Sequence, residues 1–299
     1  MNIAITGATG LIGRRLIQLL ASQGHTLCAL SRHAGANFPP AVRLSVWDPE
    51  QGEPPVDALR DSDAVVHLAG ENVAQRWTAG AKRRIRQSRE LGTRRLVCAL
   101  ARLPRRPSAL VCASAIGYYG SRGEETLTES SAPGAGFLSE VCTAWEREAV
   151  AAEALGIRVV RVRIGILLDP QGGALQRMLP PFRLGAGGRL GDGRQWMSWI
   201  HRDDLAGLFR FAVEKPIRGP LNAVAPNPAA NAAFTRELAR ALHRPAIFPV
   251  PKFALRFMFG EMSEVLLASQ RVAPKAATAA GFVFRFPALG PALADLLEC

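Results

Sequence analysis

The sequence predicts an α/β fold, a doubly wound parallel sheet that carries a smaller α/β lobe toward its C-terminus. Three observations carry this. Short apolar strand patterns alternate with helix-period segments through the first 170 residues, the order that yields a parallel sheet with helices on both faces. A glycine-punctuated turn joins the first strand to the first helix. After Asp169 the alternation gives way to glycine- and proline-rich loops around short helices, which marks the second lobe.

The elements follow in order. Ile3 to Thr6 is a β-branched strand, and Leu11 to Leu20 carries apolar residues at helical period, with glycines at 7, 10 and 13 between and within them. A strand, a glycine turn and a helix in that order offer free backbone N–H groups and a positive helix end to an anion. Gly7 permits the tight turn, Gly10 lets backbone approach a pyrophosphate, and Gly13 lets the helix pack close to the strand. The pattern is that of a Rossmann-type, dinucleotide-binding sheet. His25 to Ser31 reads as the second strand. Ala64 to Gly70 reads as a buried strand running into a small-residue turn. Residues 80–102 form a long amphipathic helix, Ala109 to Ser114 another buried strand, and Val141 to Leu155 a helix. Arg158 to Leu168 reads as one further strand. Residues 1–170 thus form the nucleotide-binding domain, rejoined by about 197–225, and 171–299 the smaller, substrate-side lobe. Asp203 and Asp204 read as the N-cap of a helix over Leu205 to Val213, and His201 as structural. Phe282, Phe284 and Phe286 alternate at strand period and read as core between the lobes.

Bulk composition narrows the function classes. With 48% hydrophobic and 21% charged residues, the 299-residue chain is of ordinary soluble, globular type. No apolar run approaches the roughly 18 residues of a membrane helix, and the apolar N-terminal residues belong to the first strand rather than to a signal peptide. The five cysteines, Cys28, Cys98, Cys112, Cys142 and Cys299, form no CxxC and no metal-ligand spacing. A reducing cytosol and no metal are expected. Much of the net charge of +12 lies between Lys82 and Arg106. Such a run can bind nucleic acid, but no aromatics interleave with it and no nucleic-acid motif accompanies it. It reads as a solvated helix face, and no nucleic-acid partner is expected.

The end of the second strand chooses the dinucleotide. Enzymes selecting NAD place an acid there for the ribose 2′-hydroxyl, whereas NADP selection wants a cation. Here the strand ends Ala29-Leu-Ser-Arg-His33 with no acid. Arg32 offers a fork of donors to a phosphate and Ser31 a hydroxyl, so NADP(H) is predicted.

These residues resemble the extended short-chain dehydrogenase/reductases, the superfamily that includes nucleotide-sugar epimerases. Thr6-Gly-Ala-Thr-Gly-Leu-Ile-Gly13, His67-Leu-Ala-Gly70, Ser114 at a strand end and Trp199-Ile-His-Arg-Asp-Asp-Leu205 match that pattern in order. The closer resemblance is to an atypical "epimerase family" branch whose members carry a C-terminal domain of unknown function. It rests on Ala69-Gly-Glu-Asn72, Ser88-Arg89, Ala115-Ile-Gly-Tyr-Tyr-Gly120, Val141-Cys-Thr-Ala-Trp-Glu146, Leu179-Pro-Pro-Phe-Arg-Leu-Gly185 and Gly281-Phe-Val-Phe-Arg-Phe-Pro287, stretches that together span nearly the whole chain.

The resemblance implies that Thr9, Gly10, Leu11 and Ile12 sit on the pyrophosphate, and Ser31 and Arg32 on the 2′-phosphate. It puts Leu68 and Ala69 under the adenosine ribose, Arg89 at the adenine end or a phosphate, Ser114 at the nicotinamide, and the Arg163 to Leu167 strand end along the ribose. The glycine-rich loop Leu184 to Arg194, with Arg189, Arg194 and the preceding Arg183, would admit a small, anionic substrate.

The superfamily also implies a Tyr-x-x-x-Lys pair, which this chain does not supply. Its two tyrosines are Tyr118 and Tyr119, and four positions on stand Arg122 and Gly123. Counting back from Glu146, the pair's positions hold Leu138 and Cys142, or Phe137 and Val141 one register away. None of these offers a phenol or an amine. Three readings stand. The chain is a reductase or epimerase with another proton donor near Ser114 or Tyr118, it is a cofactor-binding module that acts through a partner without turnover, or it uses the Cys142 thiol. The Tyr-Tyr-Gly segment serves equally well as a packed aromatic corner.

Overall fold

The computed structural model describes residues 1–297, so Cys299 lies outside the described residues. Seven short, largely buried strands form one sheet: β1 (Asn2–Thr6), β2 (Thr26–Ser31), β3 (Val42–Val46), β4 (Ala64–His67), β5 (Ala109–Ala115), β6 (Arg158–Ile164) and β7 (Gly219–Ala223). Their spatial order is β7-β6-β5-β4-β1-β2-β3, and every neighbouring pair is parallel. The strands are rich in Val, Ile, Leu and Ala because a parallel sheet is buried on both faces. The order reverses between β1 and β4, and right-handed crossovers on either side of that switch send helices to opposite faces.

Helix α1 (Leu11–Ser22) turns Leu16, Ile17 and Leu20 to the core. Helices α2 (Ala79–Ala101) and α3 (Phe137–Val150) pack against each other. Their outer surfaces are laced by Arg86–Glu140 at 2.7 Å and Arg94–Glu148 at 2.9 Å. The basic run is therefore partly spent in ion pairs: Lys82 meets Glu261, Arg102 meets Glu53 and Arg105 meets Asp63.

The smaller lobe has its own core. Helix α4 (Gly173–Arg183) supplies Leu175, Leu179 and Phe182, and α5 (Arg202–Glu214) leads back onto α1 through Arg15–Asp203 at 2.7 Å. Helices α6 (Asn231–Ala241), α7 (Lys252–Phe259) and α8 (Leu289–Leu297) follow, with Trp199, Phe234, Leu238 and Leu293 buried among them. The C-terminal aromatics tie the two cores together: Phe286 is buried in the second, while Phe282 and Phe284 pack on the first.

Four local expectations change. The strand read over Arg158 to Leu168 is two strands in different sheets. It breaks at Gly165, where a Cβ would stand 2.5 Å from the Ser198 carbonyl oxygen, and Ile166–Asp169 then pairs with Trp199–His201. The edge strand β3 has no counterpart in the sequence reading, although Val42, Leu44 and Val46 alternate with polar residues. The helix read from Val141 begins four residues earlier, at Phe137. The cap of α5 is His201 itself, whose Nδ1 accepts from the Asp203 amide at 3.1 Å. Asp204 instead accepts from the amides of Arg285 and Phe286 at 2.8 and 2.9 Å and anchors the C-terminal segment. Among the described residues no helix is long and apolar enough to cross a membrane.

Candidate functional site

At the switch point the C-terminal ends of β1, β2 and β4 open onto a cleft of about 160 Å3. Gly7, Thr9 and Gly10 form its floor, Ser31 and Arg32 one wall, and Leu68 and Ala69 another. Gly10, in extended backbone, stands at the N-cap of α1 and offers no side-chain cap. The first-turn amides of Leu11, Ile12 and Gly13 are thus left for a ligand. The cradle is closed by glycine. Gly7 has φ of +65°, and a Cβ there would stand 2.7 Å from the Ala69 nitrogen; a Cβ on Gly13 would stand 2.5 Å from the Gly7 oxygen. Helix, turn and the segment after β4 meet backbone to backbone. The uncapped helix end and the cradle fit a pyrophosphate.

A buried chain of hydrogen bonds holds the floor. Thr6 Oγ1 accepts from the amides of Leu68 and Ala69 at 3.2 and 3.3 Å, so its own proton goes to His67 Nδ1 at 2.7 Å. That leaves His67 Nε2–H to donate to Thr93 Oγ1 at 3.0 Å. Burial, with a smaller push from the Arg89 charge, drives the His67 pKa down to about 3, so the imidazole is neutral.

Arg32 is exposed on the cleft wall, and no carboxylate lies within ion-pair distance of it among the described residues. Ser31 is buried, its Oγ accepting from the His33 amide at 3.1 Å. The far rim is one the sequence reading missed: Trp47, Asp48, Pro49 and Glu50, the turn that follows β3. Its signal was the period-two run into Trp47 and the Asp-Pro turn. Asp48 pins that turn by accepting from the Glu50 amide at 3.0 Å. Gly70, Glu71 and Ser88 complete the cleft, Ser88 Oγ accepting from the Glu71 amide at 3.0 Å.

The other expected residues lie outside this cleft. Leu167 sits in the strand paired with Trp199–His201, and the turn that follows it rests on Leu11, beside the start of α1. Ser114, at the end of β5, is 1% exposed and donates to Glu146 Oε1 at 2.7 Å. Glu146 also receives Arg163 through Nε and Nη2, at 2.8 and 2.9 Å, and Arg161 at 3.3 Å. Arg163 donates onward to the Tyr119 hydroxyl at 2.9 Å, and that hydroxyl donates to Asn222 Oδ1 at 2.7 Å. Burial opposes the Arg163 charge, but hydrogen bonds and attraction from Glu146 outweigh it and hold its pKa above the ordinary value. Burial raises that of Tyr119.

The two tyrosines divide the two readings of their segment. Tyr119 is the buried corner. Tyr118 is half-buried, its ring lies on the Arg163 guanidinium at 3.5 Å, and its hydroxyl makes no hydrogen bond among the described residues. The register of the missing pair also resolves. A Cβ on Gly117, just past β5, would stand 3.1 Å from Leu138 Cβ and 3.9 Å from Cys142 Sγ. Leu138 and Cys142 therefore face the turn after β5, and Leu138 also packs, with Phe137, against the apolar cluster of Trp77, Val141 and Met262. Burial pushes the Cys142 thiol up to about 11, against the pull of Arg89, so it is protonated at neutral pH.

The Leu184 to Arg194 loop, read as the substrate entrance, is pinned by backbone hydrogen bonds. Gly191 N donates to Val250 O, Val250 N to Arg189 O, and Leu190 N to Asn231 Oδ1, at 2.8 to 2.9 Å. Its glycines serve close packing: a Cβ on Gly188 would stand 1.8 Å from the Phe248 oxygen. Arg183, Arg189 and Arg194 are exposed.

An all-parallel sheet with an uncapped helix N-terminus at its switch point defines a dinucleotide-binding Rossmann protein. The description of the NAD dependent epimerase/dehydratase family matches residues 3–224, and a domain of unknown function (DUF1731) matches residues 250–296. The chain is 41% identical over 299 residues to the epimerase family protein YfhF of Bacillus subtilis, covering 99% of this chain and 98% of that one. It is 38% identical to epimerase family protein SDR39U1 of Bos taurus, covering 99% and 100%. The crystal structure of human epimerase family protein SDR39U1 with NADPH superposes with a TM-score of 0.88 at 36% identity, covering 100% of this chain and 99% of that one. The chain belongs to the NAD dependent epimerase/dehydratase family, as an SDR39U1-like member with the DUF1731 domain at its C-terminal side.

Proposed function

We propose that this chain binds NADP(H) and is a cytosolic NADP(H)-dependent oxidoreductase of the epimerase-like type, acting on a small anionic substrate with Tyr118 as proton donor. When bound, the nicotinamide supplies hydride transfer. The amides of Leu11, Ile12 and Gly13 take the pyrophosphate beside Thr9 and Gly10, and Ser31 and Arg32 the 2′-phosphate, with Leu68 and Ala69 beneath the adenosine. The NADPH in the SDR39U1 structure and the missing acid at the end of β2 support this choice. The exposed Arg189 and Arg194, which have no carboxylate partner among the described residues, support an anionic substrate. Free thiols at Cys28, Cys98, Cys112 and Cys142 fit a reducing compartment.

One observation carries the chemical part: the Arg163 guanidinium lies 3.5 Å from the Tyr118 ring centroid, beneath a phenol whose hydroxyl has no partner among the described residues. A fixed cation on the ring face can stabilise negative charge that develops as the phenol gives up its proton. Ser114 acts by holding Glu146, and Glu146 holds Arg163. The test is NADPH oxidation across panels of carbonyl compounds and sugar nucleotides. Tyr118→Phe is expected to lose a factor of about 10²–10⁴ in turnover while its NADPH affinity stays as in the wild type. An unchanged rate ends the assignment.

A second reading, a cofactor-binding module that acts through a partner, is favoured by Leu138 and the protonated Cys142 at the pair's positions. It predicts no turnover on any panel and a partner retained on the immobilised protein only when NADPH is present.

A further inference from the structure

Tyr118 is presented by a single turn of 3-10 helix, Ile116–Tyr119, which runs from the end of β5 into Gly120, where φ is +63°. The hydrogen bonds inside so short a turn are poorly aligned, so its shape depends on what surrounds it. Support comes from a residue at least 150 positions further along the chain: Gln270 Nε2 donates to the carbonyls of Ile116 and Gly120 at 2.8 and 2.9 Å. A side-chain amide carries two N–H donors, and here one goes to each end of the turn. Tyr118 stands midway between the two residues held in this way.

Gln270 is itself fixed on both sides. Its backbone amide donates to the Trp196 carbonyl at 3.0 Å, and its carbonyl accepts from Ser198 Oγ at 2.7 Å. The preceding Ser269 accepts at its carbonyl from the Arg122 amide at 2.9 Å and donates through Oγ to the Gly123 carbonyl at 2.7 Å. The following Arg271–Val272 pairs in parallel with Thr126–Leu127. Ser269 to Val272 all belong to the DUF1731 domain, residues 250–296.

Resting on the reading of Tyr118 as proton donor, we infer that Gln270 is a positioning residue for it. The C-terminal domain thereby takes part in this site: it staples the turn, so that the Tyr118 ring stays on the Arg163 guanidinium 3.5 Å away. A neutral amide neither gives nor takes a proton, so Gln270 acts only through the phenol it holds. Without its donors, two carbonyls lose their partner and the turn can carry the ring off the cation.

Gln270→Leu keeps the bulk of the side chain and removes both donors. NADPH turnover is expected to fall by a factor of about 10–100, the effect of a small misplacement of a reacting group, while NADPH affinity by calorimetry stays within about twofold. A second readout needs no turnover. The chain has two tyrosines, so NMR of isotope-labelled tyrosine rings shows two sets of signals, which Tyr118→Phe assigns. In Gln270→Leu the Tyr118 signal should move by more than its linewidth, while that of Tyr119, whose hydroxyl is held by Arg163 and Asn222, stays in place. Gln270→Glu, which turns an oxygen toward both carbonyls, should move the same signal. An unmoved Tyr118 signal in both variants overturns the inference, whatever happens to the rate. So does a fall in NADPH affinity and unfolding midpoint together with turnover, which would make Gln270 a general support of the fold. If Tyr118→Phe turns over at the wild-type rate, the proton-donor reading fails instead, and a moved signal in Gln270→Leu still upholds the staple.

Discussion

On the β1–β2–β3 side of the switch point, backbone amides, a free arginine and a hydroxyl surround an open cleft. On the β4–β5–β6 side, a carboxylate, two arginines, a serine, a tyrosine and an asparagine are bonded to one another, and Leu138 and Cys142 face the turn after β5. The first region is built from main chain and needs only glycine where another Cβ would collide. The second is built from side chains bonded largely to one another; among the described residues the Tyr118 hydroxyl makes no hydrogen bond, and Arg161 Nε and Trp145 Nε1 are buried without a partner. The backbone cradle and the side-chain network are therefore built separately here. A chain can keep the backbone cradle intact while the reacting end is rebuilt.

Four perturbations sharpen the contrast. Gly13→Ala puts a methyl 2.5 Å from the Gly7 oxygen and 2.7 Å from the Ala8 oxygen, both backbone atoms that cannot swing aside. NADPH affinity should fall by a factor of about 100 or more, on the order of 2.7 kcal/mol, and calorimetry showing wild-type affinity would refute the cradle.

Glu146→Ala acts on the other region. It strips the partner from Arg163, which is 2% exposed, and from Arg161. Orphaned buried charge costs about 3–5 kcal/mol, so urea unfolding should show a loss of that size. A variant as stable as the wild type would mean that the network is not the buried unit described.

Arg32→Ala should weaken NADPH by about 1.5–3 kcal/mol, the worth of a hydrogen bond between charged groups, and barely change NADH. Equal losses for both nucleotides would remove the 2′-phosphate assignment.

The fourth is a pH slope. His67 titrates near 3 when folded, against an ordinary value near 6.5. Between those values the unfolded chain carries the extra proton, so stability is full above about 6.5 and falls as pH drops toward 3, by at most about 1.4 kcal/mol per pH unit. Unfolding midpoints followed from pH 7 to pH 4 should fall less steeply in His67→Gln. Parallel curves for the two proteins would show that His67 does not titrate on unfolding.

The cradle was legible because local rules govern it. Gly7, Gly10 and Gly13 follow one another within a single strand–turn–helix, and the spacing states which atoms approach each other. Arg32 was legible for the same reason, standing at the end of β2. The rim at Trp47 to Glu50 was not, since it depends on β3 pairing at an edge, where alternation is weak and a short polar strand resembles loop. Gly165 was missed because the reason for a break there, the Ser198 carbonyl, comes from 33 residues further along the chain. Glycines in the Leu184 to Arg194 loop suggest mobility by composition, yet they are there because the 248–250 backbone lies against them.

By itself, the sequence determined that a parallel sheet would present an uncapped helix to a pyrophosphate, and that neither a tyrosine nor a lysine would stand at the expected pair of positions. Those facts reside in residue identity and short-range spacing. Only the tertiary structure decided that Ser114 turns to Glu146, that Tyr118 rather than Tyr119 keeps a hydroxyl without a partner among the described residues, and that Arg89 comes to lie over the Trp145 ring. Each of these depends on side chains tens of residues apart competing for the same buried partners, and that competition has no trace in local sequence.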